Sequence, residues 1–390
     1  MHWMSRLKPF DAYLLLIATY VYWLGAITKF FAPAYSDIGA LFYAYVVRVH
    51  HAIPYLTFSM EYPPPISMLI WFAGQFTWLY PPDPSVGYMI IQAIVIFPFA
   101  LAIVYYSLKI AEQIGTSKSR VGLLIVVSIT FVQFTFYNWD APAVALMLCA
   151  MHYFLKKRIR FAYASLALAA AIKIYPLILL PLFWVYSDLG WKPTTRRLSM
   201  LGCFMGLIVL TYLPAIILAS GNVFNMLYMN FVTGANFWIE DSWLMYLNIF
   251  VFQYQYGLTR VVSYLIIAGM GLLALFRFRG KRDNETFVRL ALLLVIAGFF
   301  GFTGTPPQFF LMVLPLMALV KEVNSLLTRY VDLLNVLIIL VWSFSASFNP
   351  FGFITMISSL RQWLLFAVYL FLLLNLNRTK RRSILEVKNA

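Results

Sequence analysis

The lysines and arginines of this chain fall in seven short clusters with long apolar stretches between them. They are Arg6/Lys8, Lys109 to Arg120, Lys156 to Arg160, Lys192 to Arg197, Arg277 to Arg289, Lys321 to Arg329, and Arg378 to Lys388. Basic loops stay on the cytoplasmic side of a membrane, and each interval between clusters carries a polar break flanked by apolar sequence, so each must leave the cytoplasm and return. The expectation is an all-α integral membrane protein of about twelve transmembrane segments in six hairpins, with both termini cytoplasmic. The residues are 63% hydrophobic and 11% charged, where soluble domains carry roughly a quarter charged, so a soluble fold is excluded. The whole chain, 1–390, reads as a single polytopic domain, and its first apolar stretch, Ala12 to Phe31, as a retained anchor.

The net charge of +15 does not point to nucleic acid. The basic residues form no face or tail, and orientation signals with anionic membrane lipid as partner account for them. Cys149 and Cys203 lie in apolar runs, so neither a disulfide nor a metal site is expected.

Residues 32–86 form the first outer loop. Within it Ile66 to Tyr80, bounded by Pro63-Pro64-Pro65 and Pro81-Pro82-Asp83-Pro84, is short of the ~20 residues a span needs and reads as an interfacial helix. Ile38 to His51, with aromatics beside Arg48, His50 and His51, reads likewise. Residues 121–186 form two short hairpins, Val121 to Tyr137 with Ala141 to Leu155, and Phe161 to Ile172 with Leu177 to Tyr186. Arms of about 10–12 residues reach only roughly 15–18 Å, which suits tips that line an enclosed cavity. The alternative for the second is one tilted, proline-kinked helix from Phe161 to Tyr186. Later hairpins bring Arg260 and Arg361 toward the outer face.

The polar residues that remain gather at the hairpin tips on that face: Asp37, His50, Glu61, Asp140, Lys173, Glu240, Asp241 and Gln308. No metal-ligand spacing, nucleophile elbow or Gly-rich phosphate loop appears, so no cofactor is expected. A carboxylate can take a proton from an attacking hydroxyl while a cation steadies a leaving phosphate. That pairing suits glycosyl transfer from a sugar carried on a lipid phosphate.

Asp37, Tyr62-Pro63-Pro64, Asn138-Trp139-Asp140 and Ala171-Ile172-Lys173-Ile174-Tyr175-Pro176, in that order, resemble the lipid-phosphate-sugar-dependent glycosyltransferases of the C-type fold. The match is nearest to glycosyltransferase family 87, the polyprenol-phosphate-mannose-dependent α-mannosyltransferases. It covers the first half of the chain. Family members often carry Gly-Gln at the tip where this chain has Asn138-Trp139-Asp140. The resemblance implies a multi-pass mannosyltransferase of the cell membrane with its active site on the outer or lumenal face. Its donor would be a polyprenyl or dolichyl phosphate sugar, its acceptor a glycolipid or lipid-linked glycan, and its general base Asp37. Glu61, Tyr62, Asp140, Lys173, Tyr175, Arg260, Arg361 and His50 are the candidate substrate-binding residues.

Each has a plainer reading. Asp37 could cap a helix, Glu61 could bond the Tyr-Pro-Pro entry, Lys173 could pair with Asp140, and Arg260 and Arg361 could face headgroups. The competing function is a transporter or lipid flippase, since broken helices with charged tips also mark substrate paths.

Overall fold

The computed structural model describes residues 8–31, 36–46, 53–58, 60–187, 195–228, 241–344 and 352–375. Among them all regular structure is helical, apart from one isolated bridge between Pro54 and Phe58. The elements are α1 (Pro9–Phe31), α2 (Asp37–Leu41) with a π-helical turn after it, α3 (Pro64–Gly74), α4 (Pro84–Gln113), α5 (Lys118–Val126), α6 (Ile129–Phe134), α7 (Asp140–Leu155) and α8 (Ile159–Ile172). A 3-10 turn (Tyr175–Leu179) leads to α9 (Leu180–Tyr186). Then come α10 (Thr195–Tyr228), α11 (Leu244–Phe250), α12 (Tyr256–Arg277), α13 (Asn284–Gly301), α14 (Phe310–Leu319), α15 (Ser325–Phe344) and α16 (Phe353–Leu374).

Local chemistry fixes where these helices begin. Asp83, Ser117 and Asp283 cap α4, α5 and α13, each accepting a first-turn backbone N–H with its side chain. Pro84 follows its cap at the first helical position, where a missing N–H costs nothing. Among the described residues six helices are long and apolar enough to cross a membrane: Pro9–Phe31, Pro84–Gln113, Arg197–Tyr228, Tyr256–Arg277, Asn284–Gly301 and Phe353–Leu374. α3 has 11 residues, about 16 Å of helix, and does not reach across a bilayer.

Helices apolar all round belong inside, and α13 with α14 forms that centre. Every residue from Thr286 to Gly301 and from Phe310 to Leu319 is buried. The outer helices present apolar residues instead. On α1 the exposed positions Phe10, Tyr13, Leu16, Tyr20, Leu24, Ile27 and Phe31 recur at helical spacing, and α10, α12 and α16 carry similar stripes. Such surface suits contact with lipid.

One expected element differs in detail, and the structure decides between two readings of another. The arm Val121 to Tyr137 is not one helix but α5 and α6, broken at Val127-Ser128. The second short hairpin does fold back. Lys173 leaves α8 in extended conformation (φ −143°, ψ 138°), and the rings of Tyr163 and Phe183 then lie 5.9 Å apart. A continuous kinked helix would hold those rings roughly 30 Å apart, at 1.5 Å per residue.

Among the described residues, basic clusters from several parts of the chain meet at one end of the bundle. Lys8, Lys109 and Lys118 share Asp11 and Glu112 at 2.9–4.0 Å. Arg120 donates to the Val320 and Val323 carbonyls after α14. Arg289 pairs with Glu322 and Glu285, and the Tyr186 hydroxyl meets the Lys281 carbonyl at 2.6 Å. The loops that carry Asp37, Asn138, Lys173 and Gln308 lie at the opposite end.

If the basic end is cytoplasmic, single cysteines in a Cys203→Ser background should report it, because Cys149 is buried while Cys203 is exposed. Cysteines at the exposed positions Trp78 and Gln255 are expected to react with an impermeant thiol reagent added outside intact cells. Ones at exposed Ser119 and Arg279 should react only after permeabilisation. External labelling of Ser119 would reverse the assignment.

Candidate active site

Five interruptions of helical structure meet at the end opposite the basic clusters. They are the start of α2, the Tyr-Pro-Pro entry to α3, the tip between α6 and α7, the break after α8, and the Pro306 to Phe309 turn before α14. A helix end leaves backbone groups without helical partners, so polar side chains are drawn to such places.

Asp37 opens α2, but the cap is its neighbour. Ser36 is extended (φ −147°, ψ 147°) and its hydroxyl accepts the Gly39 N–H at 3.1 Å. The Asp37 carboxylate turns elsewhere, with Oδ2 accepting from Asn138 Nδ2 at 2.6 Å and from Gln308 Nε2 at 3.4 Å. The capping reading of Asp37 therefore gives way to one in which two amides from distant loops grip its carboxylate.

Asn138 is the hub. Its Oδ1 accepts from Lys173 Nζ at 3.2 Å and from the Trp139 N–H at 2.5 Å. Trp139 is wholly buried, donates its indole N–H to Gln92 Oε1 at 3.0 Å, and meets the Tyr62 ring edge-on at 5.0 Å. Those contacts fix the tip.

Lys173 lies 3.5 Å from Asp140, which is fully buried, and sits over the rings of Tyr62 at 5.3 Å and Phe309 at 6.0 Å. The Tyr175 hydroxyl donates to the Asp140 carbonyl at 3.4 Å. Tyr62 is anchored through its carbonyl, which accepts from Ser67 Oγ at 2.8 Å and from the Tyr55 hydroxyl. Burial, with Asp37, Glu61 and Asp140 nearby, raises the Tyr62 phenol well above its ordinary range, so it stays protonated. Burial also raises the Glu61 carboxyl, while the charge of Lys173 pulls it back.

The structure thus gathers Asp37, Glu61, Tyr62, Asp140, Lys173 and Tyr175. Arg361 stands apart from them as a brace. It is fully buried, donates to Asn335 Oδ1 at 2.6 Å and to Thr305, lies over Phe299 at 4.8 Å, and faces the charge of Asp241. Asn335 in turn donates to the Pro307 carbonyl at 2.7 Å and to Thr130 Oγ1 at 3.1 Å. Arg361, a candidate substrate-binding residue by sequence, holds the segment that presents Gln308 and does not lie at the headgroup surface. Arg260 is buried in the first turns of α12. His50 and Glu240 lie outside the described residues.

Asn138 and Gln308 are the ligands of Asp37 that sequence reasoning passed over as roles. Their signal was present, since each is a neutral amide at a polar tip between apolar arms. Among the described residues no three His, Cys, Asp or Glu side chains are gathered so as to hold a metal ion. Compared with protein-family models and with curated proteins, the sequence matches none.

One turn below Asn335 on α15, Asp332 holds the broken helix behind the tip. Its carboxylate accepts from Ser128 Oγ at 2.8 Å, Ile129 N at 3.1 Å and Thr130 N at 2.9 Å. Asp332→Ala should cost at least about 1.5–3 kcal/mol, since buried donors at the α6 start lose a charged acceptor. Thermal unfolding in detergent measures it. Glu61 gives a pH-dependent outcome. A carboxyl raised on folding contributes most below its unfolded pKa, and that stability is lost as pH rises through the folded value. Glu61→Gln lacks the charged form, so its melting temperature relative to wild type should be higher at pH 8 than at pH 5.

Proposed function

We propose that this chain is an inverting glycosyltransferase of the C-type kind, with about twelve membrane segments and its site on the outer face. Its donor would be a polyprenyl or dolichyl monophosphate sugar, with mannose the first sugar to test, and its acceptor a glycolipid or lipid-linked glycan. The observation that carries this reading is the setting of Asp37. Ser36 takes over the capping, Asn138 and Gln308 grip one carboxylate oxygen, and Lys173 shares the same asparagine.

The chemistry follows from those groups. Asp37 accepts the proton of the acceptor hydroxyl as that oxygen attacks the anomeric carbon of the donor. The bond from the anomeric carbon to the phosphate oxygen breaks on the opposite side of the sugar, and the lipid phosphate leaves as an anion. Asp37 later releases its proton to solvent. Lys173, which bonds Asn138 and pairs with Asp140, is assigned to the phosphate, with Arg260 as a second candidate. The three carboxylates beside it suit sugar hydroxyls, which donate hydrogen bonds to acceptor-only groups. Tyr62 and Phe309 supply aromatic surface beside Lys173. Arg361, placed among Asn335, Thr305 and Phe299, is assigned to support.

The test is turnover by the purified protein with polyprenyl-phosphate mannose and a panel of glycolipid acceptors. Asp37→Asn keeps the size of the side chain and leaves Ser36 to cap, so folding should survive. Turnover is expected to fall by about 10²–10⁴-fold, the usual contribution of a general base. Near-normal turnover in Asp37→Asn would remove the assignment. Tracer flux into liposomes without bond cleavage would favour a transporter.

A further inference from the structure

The side chain of Asn138 has a polarity that its surroundings leave no freedom to reverse. Asp37 Oδ2, 2.6 Å from one end of the amide, can only accept while Asp37 is ionised, as its role of base requires. Lys173 Nζ at 3.2 Å and the Trp139 N–H at 2.5 Å, on the other end, can only donate. The amide nitrogen therefore faces Asp37 and its oxygen faces Lys173. A flipped amide would set a carbonyl against the carboxylate and an NH₂ against the ammonium. The Trp139 N–H belongs to the residue that follows, and the Trp139 ring is wedged between Gln92 and Tyr62, so the amide sits on a fixed backbone.

We infer that Asn138 is the positioning residue of the site, a neutral bridge that gives Asp37 a donor and Lys173 an acceptor and so keeps the two charges apart and aimed. The inference rests on the reading of Asp37 as base. The neutrality matters because the surroundings are already anionic. From α2 comes Asp37, from the α3 entry Glu61 and the hydroxyl of Tyr62, from α7 Asp140, and from the turn after α8 Tyr175, with the cation Lys173 set against them. A donor aimed at a carboxylate favours its ionised form, and a second carboxylate in the same place opposes it.

Asn138→Asp exchanges one heavy atom, the amide nitrogen for oxygen, and reverses that relation. The new carboxyl would meet Asp37 Oδ2 at hydrogen-bond distance, and the pair would share one proton over the range where wild-type Asp37 is ionised. Lys173, 3.5 Å from Asp140, already has a carboxylate to balance. The acidic limb of the turnover profile should therefore move upward by about one to two pH units, with activity recovering toward wild type at alkaline pH. A side chain that merely packed the tip would lose activity at every pH alike.

The protonation itself can be read without turnover. Infrared difference spectra of the purified protein across pH contain the carboxyl stretch of Asp37, assigned by its loss in Asp37→Asn. In Asn138→Asp that titration should move upward with the turnover profile. Asn138→Leu, which removes the donor but adds no carboxylate, should move it in the same direction by less, and keeps the test open should Asn138→Asp not fold. An Asp37 titration unmoved in both variants overturns the inference. A titration that moves in a protein with no transferase activity upholds the bridge and rejects the glycosyltransferase reading instead.

Discussion

A helix broken inside a membrane protein exposes backbone donors where no water can reach them, and the site depends on how this chain meets that requirement at Ser128. The three donors there, the Ser128 hydroxyl and the N–H groups of Ile129 and Thr130, all end on the carboxylate of Asp332. With α6 held in this way, its far end can deliver the Asn138 tip. One turn along α15, Asn335 joins the same α6 to Pro307 and Arg361, which ties in the segment that carries Gln308. α15 thus touches none of the six gathered site residues in these bonds, yet it sets two of the loops that meet at Asp37. On the other side, α1 packs against α6 through Gly25, where a Cβ would overlap the Val132 carbonyl, and Lys29 donates to the Gln133 carbonyl at 2.6 Å.

The two ends of the bundle use charge differently. At the basic end, Lys8, Lys109 and Lys118 crowd around Asp11 and Glu112, three cations on two carboxylates. Much of that network is exposed, and screening by water and salt leaves it a modest contributor to stability. At the other end the balance is inverted, with three carboxylates around Lys173, and the groups are largely withdrawn from solvent. Buried charges that are not neutralised in place are costly, so neutral amides and phenols fill the gaps between them. The result is a cluster in which neutral side chains stand between the charges, as Asn138 does between Asp37 and Lys173.

Much of this was legible in the sequence. The basic clusters marked where the chain turns at one end, because Lys and Arg are costly in the apolar layer, and those among the described residues around Lys8, Lys109 to Arg120, Arg289 and Lys321 meet there. Asp37, Glu61, Tyr62, Asp140, Lys173 and Tyr175 were visible as polar or aromatic residues next to prolines and tips in otherwise apolar surroundings. The short second hairpin could be read from arms too short to cross and basic flanks on both sides. What one-dimensional reading could not separate was a cap from a gripped carboxylate at Ser36-Asp37, or a headgroup contact from an interior brace at Arg361. Each residue type serves either purpose, and the difference lies in what stands opposite.

The sequence by itself determined the class of protein, the end at which the turns carry positive charge, and the polar residues available for chemistry. These follow from transfer energies, which depend only on residue type and local spacing. The tertiary structure decided the partnerships: Asn138 and Gln308 on Asp37, Asp332 on the start of α6, Asn335 and Arg361 on the turn before α14. These bonds join residues 26 to 271 positions apart. No local pattern encodes them, because a hydrogen bond is set by distance and angle between groups, and only the packed helices bring those groups within reach.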